Sequence, residues 1–254
     1  MKIVVLGGTG LIGSRVVRIL QEQKHDVFAA STGTIDLMTG KGLSEALQDV
    51  QVVIDLTNSP SFEDRAVLNF FETSARNLFP AEAAAGIRHH VALSIVGADR
   101  MENIGYMRAK VAQENAIKSS GIPYTIVRAT QFFEFIGGLA DAGTQGGTVR
   151  LSNVLMQPIA ADDIARAVAE IALEAPKNGY INVAGPERRR QDELARELLK
   201  TRNDPRQVVT DTSLGYFGGQ VPENALVPDH DEILGTVRFS DWLARSQVQA
   251  PQTR

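Results

Sequence analysis

The sequence contains no cysteine among its 254 residues, and this absence excludes several kinds of site. Disulfide bonds, thiolate metal sites and cysteine nucleophiles all require the missing side chain. Aromatic residues are also scarce, at 6% of the chain, whereas hydrophobic residues as a whole make up 43%. A chain of this length and composition can bury a sizeable core and is typical of an ordinary globular protein.

Neither a strong net charge nor a long apolar run is present. The 26 basic and 30 acidic side chains give a net charge of −4 and are spread along the sequence, without the basic stripe of a nucleic-acid-binding protein. No apolar run reaches the roughly 20 residues that cross a membrane, and the N-terminus does not look like a signal peptide. We therefore expect a cytoplasmic protein whose partner is a small molecule rather than nucleic acid or a membrane; assembly as a homodimer is left open.

A glycine-rich loop follows the first apolar segment of the chain. Residues 2–6 form a short apolar run, Gly-Gly-Thr-Gly-Leu-Ile-Gly occupies residues 7–13, and apolar residues at helical spacing come next. Strand, glycine turn and helix in this order form the context of a dinucleotide pyrophosphate site, in which the helix N-terminus supplies amide hydrogens and a positive dipole. The predicted contacts are Gly7, Thr9, Gly10, Leu11, Ile12 and Gly13.

Strand and helix patterns alternate through the first half of the sequence. Short apolar runs predict strands at 2–6, 26–30, 51–56, 90–95 and 124–127. Helical spacing predicts helices after the glycine loop and at 42–50, 62–86 and 104–120. Pro80 falls inside the 62–86 helix and predicts a break or kink, because proline removes a helix hydrogen bond. Repeated strand–helix units build a parallel sheet with helices on both faces, so the predicted fold is a Rossmann-type, doubly wound α/β fold.

The pattern changes after residue 128. Glycines interrupt residues 137–147, and the later strand and helix signals are short and lie at 148–151, 162–175, 180–183, 191–200 and 239–243. We interpret residues 1–150 as a dinucleotide-binding Rossmann domain and residues 151–254 as a small C-terminal lobe. The lobe is expected to pack over the carboxyl edge of the sheet, where ligands bind in open α/β folds, so that both parts form one structural unit.

Tyr106 and Lys110 stand four residues apart on a predicted helix, so their side chains share one helix face. A phenol keeps its proton to a pKa of about 10, and a neighbouring ammonium group lowers that pKa by stabilising the phenolate. Such a tyrosine can exchange a proton with a carbonyl or alcohol oxygen. Ser94 ends the fourth predicted strand, where its hydroxyl can hold the same substrate oxygen. We therefore predict Ser94, Tyr106 and Lys110 as the catalytic residues.

These motifs together resemble the short-chain dehydrogenase/reductase superfamily, and in particular its atypical NmrA-like, NAD(P)-binding branch. The resemblance rests on the glycine loop, the serine, Tyr-x-x-x-Lys, and the segments 93–97, 122–130, 157–164 and 184–186. It implies that the loop glycines bind pyrophosphate and that Ser94, Tyr106 and Lys110 relay a proton. It also implies that Lys110 binds the nicotinamide ribose and that Asn77 supports the active site.

The end of the second predicted strand bears on which nicotinamide cofactor binds. NAD sites place Asp or Glu there and NADP sites a basic residue, whereas this chain has Ala-Ser-Thr-Gly at residues 30–33. Without a carboxylate to repel a 2′-phosphate, NADP is favoured over NAD, with Ser31 and Arg15 as predicted contacts. Thr57 and Asn58, which follow the third strand, are predicted to pass the cofactor ribose.

Several other segments have a structural interpretation. Asp162 and Asp163 fit helix caps, His89 and His90 fit a structural role beside a strand, and residues 188–190 fit a solvated helix start. The aromatic segment 131–135 fits the packing of the lobe and the wall of a substrate pocket equally well. We predict no metal site.

The sequence predicts an NAD(P)H-dependent oxidoreductase. It would transfer hydride to a small carbonyl or quinone-like substrate, while Ser94, Tyr106 and Lys110 relay the proton. Two alternatives stay open. A non-catalytic NAD(P)-binding redox sensor of the NmrA-like type would keep the glycine loop and need no relay. An epimerase or dehydratase would oxidise its substrate transiently, although enzymes of that class usually have a larger C-terminal lobe.

Overall fold

A computed structural model describes residues 1–230 and 233–249 of the chain. The strands are β1 (Lys2–Leu6), β2 (Asp26–Ala30), β3 (Val52–Asp55), β4 (His89–Ile95), β5 (Tyr124–Ala129), β6 (Thr144–Gln145), β7 (Thr148–Leu151), β8 (Leu155–Met156), β9 (Gly179–Ala184), β10 (Arg189–Arg190), β11 (Gln207–Thr210) and β12 (Ile233–Leu234). The α-helices are α1 (Gly13–Glu22), α2 (Leu43–Ala46), α3 (Asp64–Ala85), α4 (Gly105–Ser119), α5 (Ile136–Ala142), α6 (Ala161–Leu173), α7 (Gln191–Thr201) and α8 (Phe239–Gln249). Within the described ranges, no helix combines the length and the apolar character needed to cross a bilayer.

Seven parallel strands form the central sheet, in the order β2-β1-β3-β4-β5-β9-β12. This sheet confirms the predicted Rossmann-like α/β fold. The order begins 2-1-3, and the short helix α2 lies in the connection between β2 and β3. The direction in which strands are added reverses between β1 and β3, and open α/β sheets bind their ligands outside the carboxyl ends of the strands at such a switch point.

Helices cover both faces of the central sheet. Successive residues of a strand point to opposite faces, and in β1 Ile3 and Val5 pack with α1 and α6 on one face. Val4 and Leu6 pack with α2 and α3 on the other face. A strand that is buried on both faces needs apolar residues at every position, which explains the continuous apolar run that β1 shows in the sequence.

Helix α3 is continuous across Pro80, so of the predicted break or kink the break was wrong, and the kink stays a prediction. The carboxylate of Glu63 caps the first turn, and Gly86 ends the helix in a left-handed conformation with φ 69°. Proline costs the helix one hydrogen bond. Leu78 and Glu82, on either side of it, are buried, and this packing holds the helix together despite that loss.

The chain after residue 150 extends the central sheet and also forms smaller structures. β9 and β12 are strands of the central sheet, so a boundary at residue 150 would divide it. A three-stranded sheet (β11-β7-β6) and a two-stranded sheet (β10-β8) lie outside it, with α5, α7 and α8 packed nearby. The last fifty residues contain β11, β12 and α8, and are therefore more regular than the sequence suggests.

Polar side chains that were given structural interpretations do make internal contacts. His90 is buried beside Glu82, whose carboxylate oxygen lies 2.9 Å from Nδ1. Burial lowers the pKa of His90, but the Glu82 carboxylate outweighs it and the pKa is raised overall. Arg189 and Arg190 both form ion pairs with glutamates, so the segment 188–190 is not simply a solvated helix start.

Asp163 attaches the C-terminal segment to helix α6. The side chain is buried, and its carboxylate accepts hydrogen bonds from the backbone amides of Thr236 and Val237 at 2.8 and 2.9 Å. The N-cap residue of α6 is Ala160, so neither Asp162 nor Asp163 has the predicted capping role. The reason is the packing of residues 236–237 beside the first turn, because the two partly buried amides there take the Asp163 carboxylate as their acceptor.

Asp163→Ala should lower the free energy of unfolding by about 1–3 kcal/mol, because two partly buried backbone amides lose their acceptor. Asp162→Ala is the matched control: its exposed carboxylate pairs with Arg15, and surface ion pairs contribute at most about 1 kcal/mol. Urea unfolding, followed by the fluorescence of the single tryptophan, Trp242, measures both variants. Equal losses in the two variants would contradict the attachment role of Asp163.

Candidate active site

A cavity of about 1180 Å³ lies at the carboxyl ends of the central strands. Its walls come from the loops after β1, β2, β3, β4 and β5, from helix α4 and from residues 216–219. Parallel strands end at the same edge of their sheet, so loops that are distant in the sequence meet there. The cavity therefore occupies the position at which open α/β folds bind their ligands.

The loop at residues 7–13 turns from β1 into α1 with little room for side chains. Gly7 has φ +73°, a conformation that favours glycine. A Cβ atom on Gly13 would lie 2.1 Å from the carbonyl oxygen of Gly7, so only glycine allows α1 to approach the strand this closely. The N-cap residue of α1, Ile12, has no polar side chain, so the positive end of the helix dipole has no side-chain cap and can face an anion. All six predicted loop contacts line the cavity: Gly7, Thr9, Gly10, Leu11, Ile12 and Gly13.

The two residues predicted to contact the 2′-phosphate lie apart. Ser31 lines the cavity at the end of β2, next to Thr32. The guanidinium group of Arg15 instead donates to the Leu11 carbonyl and to the Asp162 carboxylate, both at 2.7 Å. Arg15 is thus held on the α6 side of helix α1 and is not part of the cavity wall.

Tyr106 is hydrogen-bonded to the loop that follows β3. Its hydroxyl donates to the side-chain oxygen of Asn58 at 3.0 Å, and its ring centroid lies 5.4 Å from that of Phe62. Thr57 and Asn58 line the cavity beside it. Burial raises the pKa of Tyr106 to about 12, and the hydrogen bond to Asn58 opposes this only in part. The lowered pKa that the sequence predicts for Tyr106 is not found, because burial disfavours the phenolate.

Lys110 is almost fully buried at the base of the cavity. Its Nζ donates to the carbonyl of Leu93 at 2.8 Å and to the side-chain oxygen of Gln113. The ring of Phe71 lies 4.5 Å from Nζ and makes a cation–π contact. Burial lowers the pKa of Lys110 to about 8, against the opposing effect of nearby carboxylates.

Ser94 lines the cavity, but its hydroxyl hydrogen is used within the protein. The hydroxyl donates to Glu114 at 2.7 Å, and Glu114 forms a buried ion pair with Arg128, also at 2.7 Å. Arg128 pairs with Asp99 as well and lies over the ring of Tyr180. The oxygen of Ser94 can still accept a hydrogen bond, whereas donating one to a substrate would require the hydroxyl to leave Glu114.

The cavity is also lined by aromatic residues that the sequence did not bring together. Phe62, Phe135 and Phe217 line the cavity with exposed fractions of 64%, 37% and 53%. The segment 131–135 serves both roles considered for it, since Gln131 and Phe135 line the cavity while Phe133 packs in the C-terminal core. No spacing in the sequence connects residues 62, 135 and 217, so only the fold could reveal this wall.

Asn77 supports a different part of the cavity from the one that the resemblance implied. Its side-chain amide donates to the Leu37 carbonyl at 2.8 Å and so holds the loop after β2 rather than Tyr106. Among the described residues there is no group of three or more His, Cys, Asp or Glu side chains that could hold a metal ion.

A family of NAD(P)H-binding proteins matches residues 7–175, which is more than half of the chain. The chain belongs to this family. An NAD(P)H azoreductase from Xenophilus azovorans is 30% identical over 229 residues, which is 83% of this chain and 77% of the azoreductase. The photosystem II assembly factor Ycf39 from Cyanophora paradoxa is 27% identical over 153 residues, or 54% of this chain and 48% of the factor. The chain spans about half the length of three of the curated relatives that it matches.

A solved structure supports the same fold. The NADPH-dependent quinone oxidoreductase of Escherichia coli, in complex with NADPH, has a TM-score of 0.70 and 20% identity, covering 96% of this chain and 99% of the oxidoreductase. Family membership confirms the predicted NAD(P) cofactor, and the glycine loop at the cavity fits its pyrophosphate. The preference for NADP over NAD stays a prediction.

The buried Lys110 should make the protein more stable as the pH rises from about 8 to 10. The folded protein releases this proton near pH 8, whereas the unfolded chain keeps it to about 10.5, so the unfolded state binds more protons within that window. We expect the free energy of unfolding to increase by about 2 kcal/mol. Urea unfolding across this range measures the increase, which Lys110→Met should abolish.

The matched control is Lys118→Met, on the exposed side of the same helix. This variant should retain the wild-type increase, since Lys110 is unchanged in it. The same pH dependence in the wild type and in Lys110→Met would show that the lysine does not titrate near pH 8.

Proposed function

We propose that the protein is an NAD(P)H-dependent oxidoreductase that reduces a small, largely apolar carbonyl or quinone-like substrate. The observation that carries this proposal is that Tyr106 and Lys110 line the same cavity as the glycine loop. The azoreductase and quinone oxidoreductase relatives support the reaction class. Phe62, Phe135 and Phe217 support an apolar, flat substrate, because aromatic faces bind such molecules by stacking.

The proposed mechanism assigns one proton step to the chain. When bound, the cofactor supplies a hydride from C4 of its nicotinamide ring. Tyr106 would donate its hydroxyl proton to the substrate oxygen on which negative charge develops. Since the hydroxyl donates to Asn58 in the absence of substrate, the substrate oxygen must replace Asn58 as its acceptor. An ammonium group has three N–H donors. Lys110 uses two of them for Leu93 and Gln113, so the third N–H can bind the ribose.

Ser94 differs from Tyr106 and Lys110 in how its hydrogen is used. Its hydrogen is directed at Glu114, whose charge is shared with Arg128. We propose that Ser94 contributes mainly by holding Glu114 and by accepting a hydrogen bond at the cavity. On that basis it is a positioning residue, and the proton itself comes from Tyr106.

Tyr106→Phe should lower kcat by about 10²–10⁴-fold, the usual contribution of a positioned general acid, and leave NADPH affinity nearly unchanged. Ser94→Ala should cost at most about tenfold, because the lost hydroxyl does not donate the proton. Oxidation of NADPH against quinones, aldehydes and azo dyes measures both. Tyr124→Phe, at the opposite end of β5, is the control. Full turnover by Tyr106→Phe would exclude the proposed proton donor.

We also propose that NADPH is preferred over NADH, with Ser31 at the adenosine ribose. Ser31→Asp should weaken NADPH binding by about tenfold and preserve NADH binding, because a carboxylate repels the 2′-phosphate and accepts from a ribose hydroxyl. Fluorescence titration with both cofactors measures the ratio of the two Kd values. Arg15→Gln should leave that ratio unchanged, since Arg15 is held by Asp162. If the ratio of Kd values changed in Arg15→Gln and not in Ser31→Asp, Arg15 rather than Ser31 would be the contact of the 2′-phosphate.

A second candidate function is a non-catalytic NAD(P)-binding redox sensor. One observation favours it: the pKa of Tyr106 is raised to about 12, so the hydroxyl is not activated before a ligand binds. One relative is a photosystem II assembly factor. Tight NADPH binding without oxidation on any member of the substrate panel would favour the sensor, whereas turnover that depends on Tyr106 would favour the reductase.

A further inference from the structure

Two oppositely charged side chains are buried beneath the cavity without contacting each other. Lys110 is 3% exposed and Asp55 is 7% exposed. The Nζ of Lys110 donates to two neutral acceptors, the Leu93 carbonyl and the Gln113 side-chain oxygen. The Asp55 carboxylate accepts from neutral donors, namely the amide and hydroxyl of Thr57 at 3.0 and 2.6 Å and Nε2 of Gln113 at 3.1 Å. Gln113 therefore bridges the two charges.

The Gln113 amide lies between Lys110 and Asp55, and these two charged groups fix its orientation. Its nitrogen donates to the Asp55 carboxylate and its oxygen accepts from the Lys110 ammonium. The reversed amide would place donor against donor at the lysine and acceptor against acceptor at the aspartate. Gln113 is itself 5% exposed, so water has little access to replace either bond. The bridge is therefore a specific polar connection within a buried region.

Other titratable groups also lie around Lys110. Glu114, on the same helix, forms its ion pair with Arg128 of β5 at 2.7 Å. Tyr106, one turn earlier, stays uncharged near neutral pH because burial raises its pKa to about 12. Helix α3 contributes an aromatic ring to the contact with Nζ. Asp55, on β3, raises the pKa of Lys110 more than Glu114 does, and it also raises the pKa of His90 on β4. Lys110 and Asp55 meet only through the Gln113 amide.

Asp55 also arranges the other side of the cavity. Its carboxylate holds the backbone amide and the hydroxyl of Thr57. The next residue, Asn58, accepts the hydrogen bond from the hydroxyl of Tyr106. One carboxylate is therefore connected to both Tyr106 and Lys110, to the first through residues 57–58 and to the second through Gln113.

We propose that Gln113 and Asp55 are positioning residues for Lys110. Gln113, held by Asp55, occupies one Nζ–H of the lysine, and the Leu93 carbonyl occupies a second. The third Nζ–H is thereby directed to the cofactor. A carboxylate in direct contact would draw the ammonium group away from the cavity and hold it charged. An amide in the same place fixes its position and leaves its proton exchangeable. The function of this positioning rests on the cofactor-binding role proposed for Lys110. The titration of Lys110 can nevertheless be measured without any enzymatic turnover.

The first test is the titration of Lys110 in the protein without cofactor, followed by NMR of ¹³C-labelled lysine side chains. The Lys110 signal is identified by its loss in Lys110→Met, and in the wild type we expect a midpoint near pH 8. Gln113→Met keeps the length of the side chain but removes both hydrogen bonds, so the midpoint should fall by about one pH unit. Gln113→Glu keeps an acceptor oxygen toward Nζ, so its midpoint should stay or rise. Asn115→Met, at an exposed position of the same helix, should change nothing.

The second readout is NADPH affinity as a function of pH. Gln113→Met should bind NADPH about threefold more weakly near pH 7.5, where it retains less ammonium charge than the wild type, and the difference should shrink at lower pH. An unchanged midpoint in Gln113→Met, or an equal fall in both Gln113 variants, would overturn the proposal, because a merely structural role affects both alike. If the midpoints shift as expected but no substrate is reduced, the positioning role stands and the reductase function alone fails.

Discussion

The parallel pairing of β1, β3, β4 and β5 is the arrangement on which the site depends. Because these strands run in one direction, the segments that follow them meet at one edge of the sheet. Gly7 follows β1, Thr57 follows β3 and Gln131 follows β5, while Leu93 lies near the end of β4, and all four line the cavity. Reversing or exchanging one strand would separate the glycine loop from Tyr106, however well each segment kept its local structure.

Beneath that edge the protein buries more charge than stability alone would favour. Lys110, Asp55, Glu114 and Arg128 are all nearly inaccessible to solvent, and moving charged groups out of water costs several kcal/mol for each ion. Direct contact between Glu114 and Arg128 offsets part of this cost. Lys110 has no such contact with Asp55, and burial lowers its pKa against the opposing effect of the nearby carboxylates. Perturbed titration of this kind clusters at functional sites, where stability is given up for a reactive or ligand-binding group.

The cavity joins a polar base to an aromatic wall, and its chemistry depends on what fills the space between them. Tyr106 donates to Asn58, and its high pKa keeps it protonated. A substrate oxygen in place of Asn58 would receive that proton as negative charge develops, and a bound oxidised nicotinamide ring would add positive charge nearby. A reductase and a sensor can therefore share this fold. They differ in whether a hydride acceptor can lie beside Tyr106, between the glycine loop and the aromatic rings.

The sequence by itself determined the features that arise from neighbouring residues. The apolar run of β1, the glycine turn at residues 7–13 and the shared helix face of Tyr106 and Lys110 follow from backbone conformation and side-chain periodicity, which act over a few residues. The tertiary structure decided which partners the polar groups found: Ser94 donates to Glu114 and Arg15 to Asp162. Packing between elements distant in the chain also kept α3 continuous and formed the aromatic wall. A buried polar group must be satisfied by whichever element packs against it, and no local pattern in the sequence specifies that element.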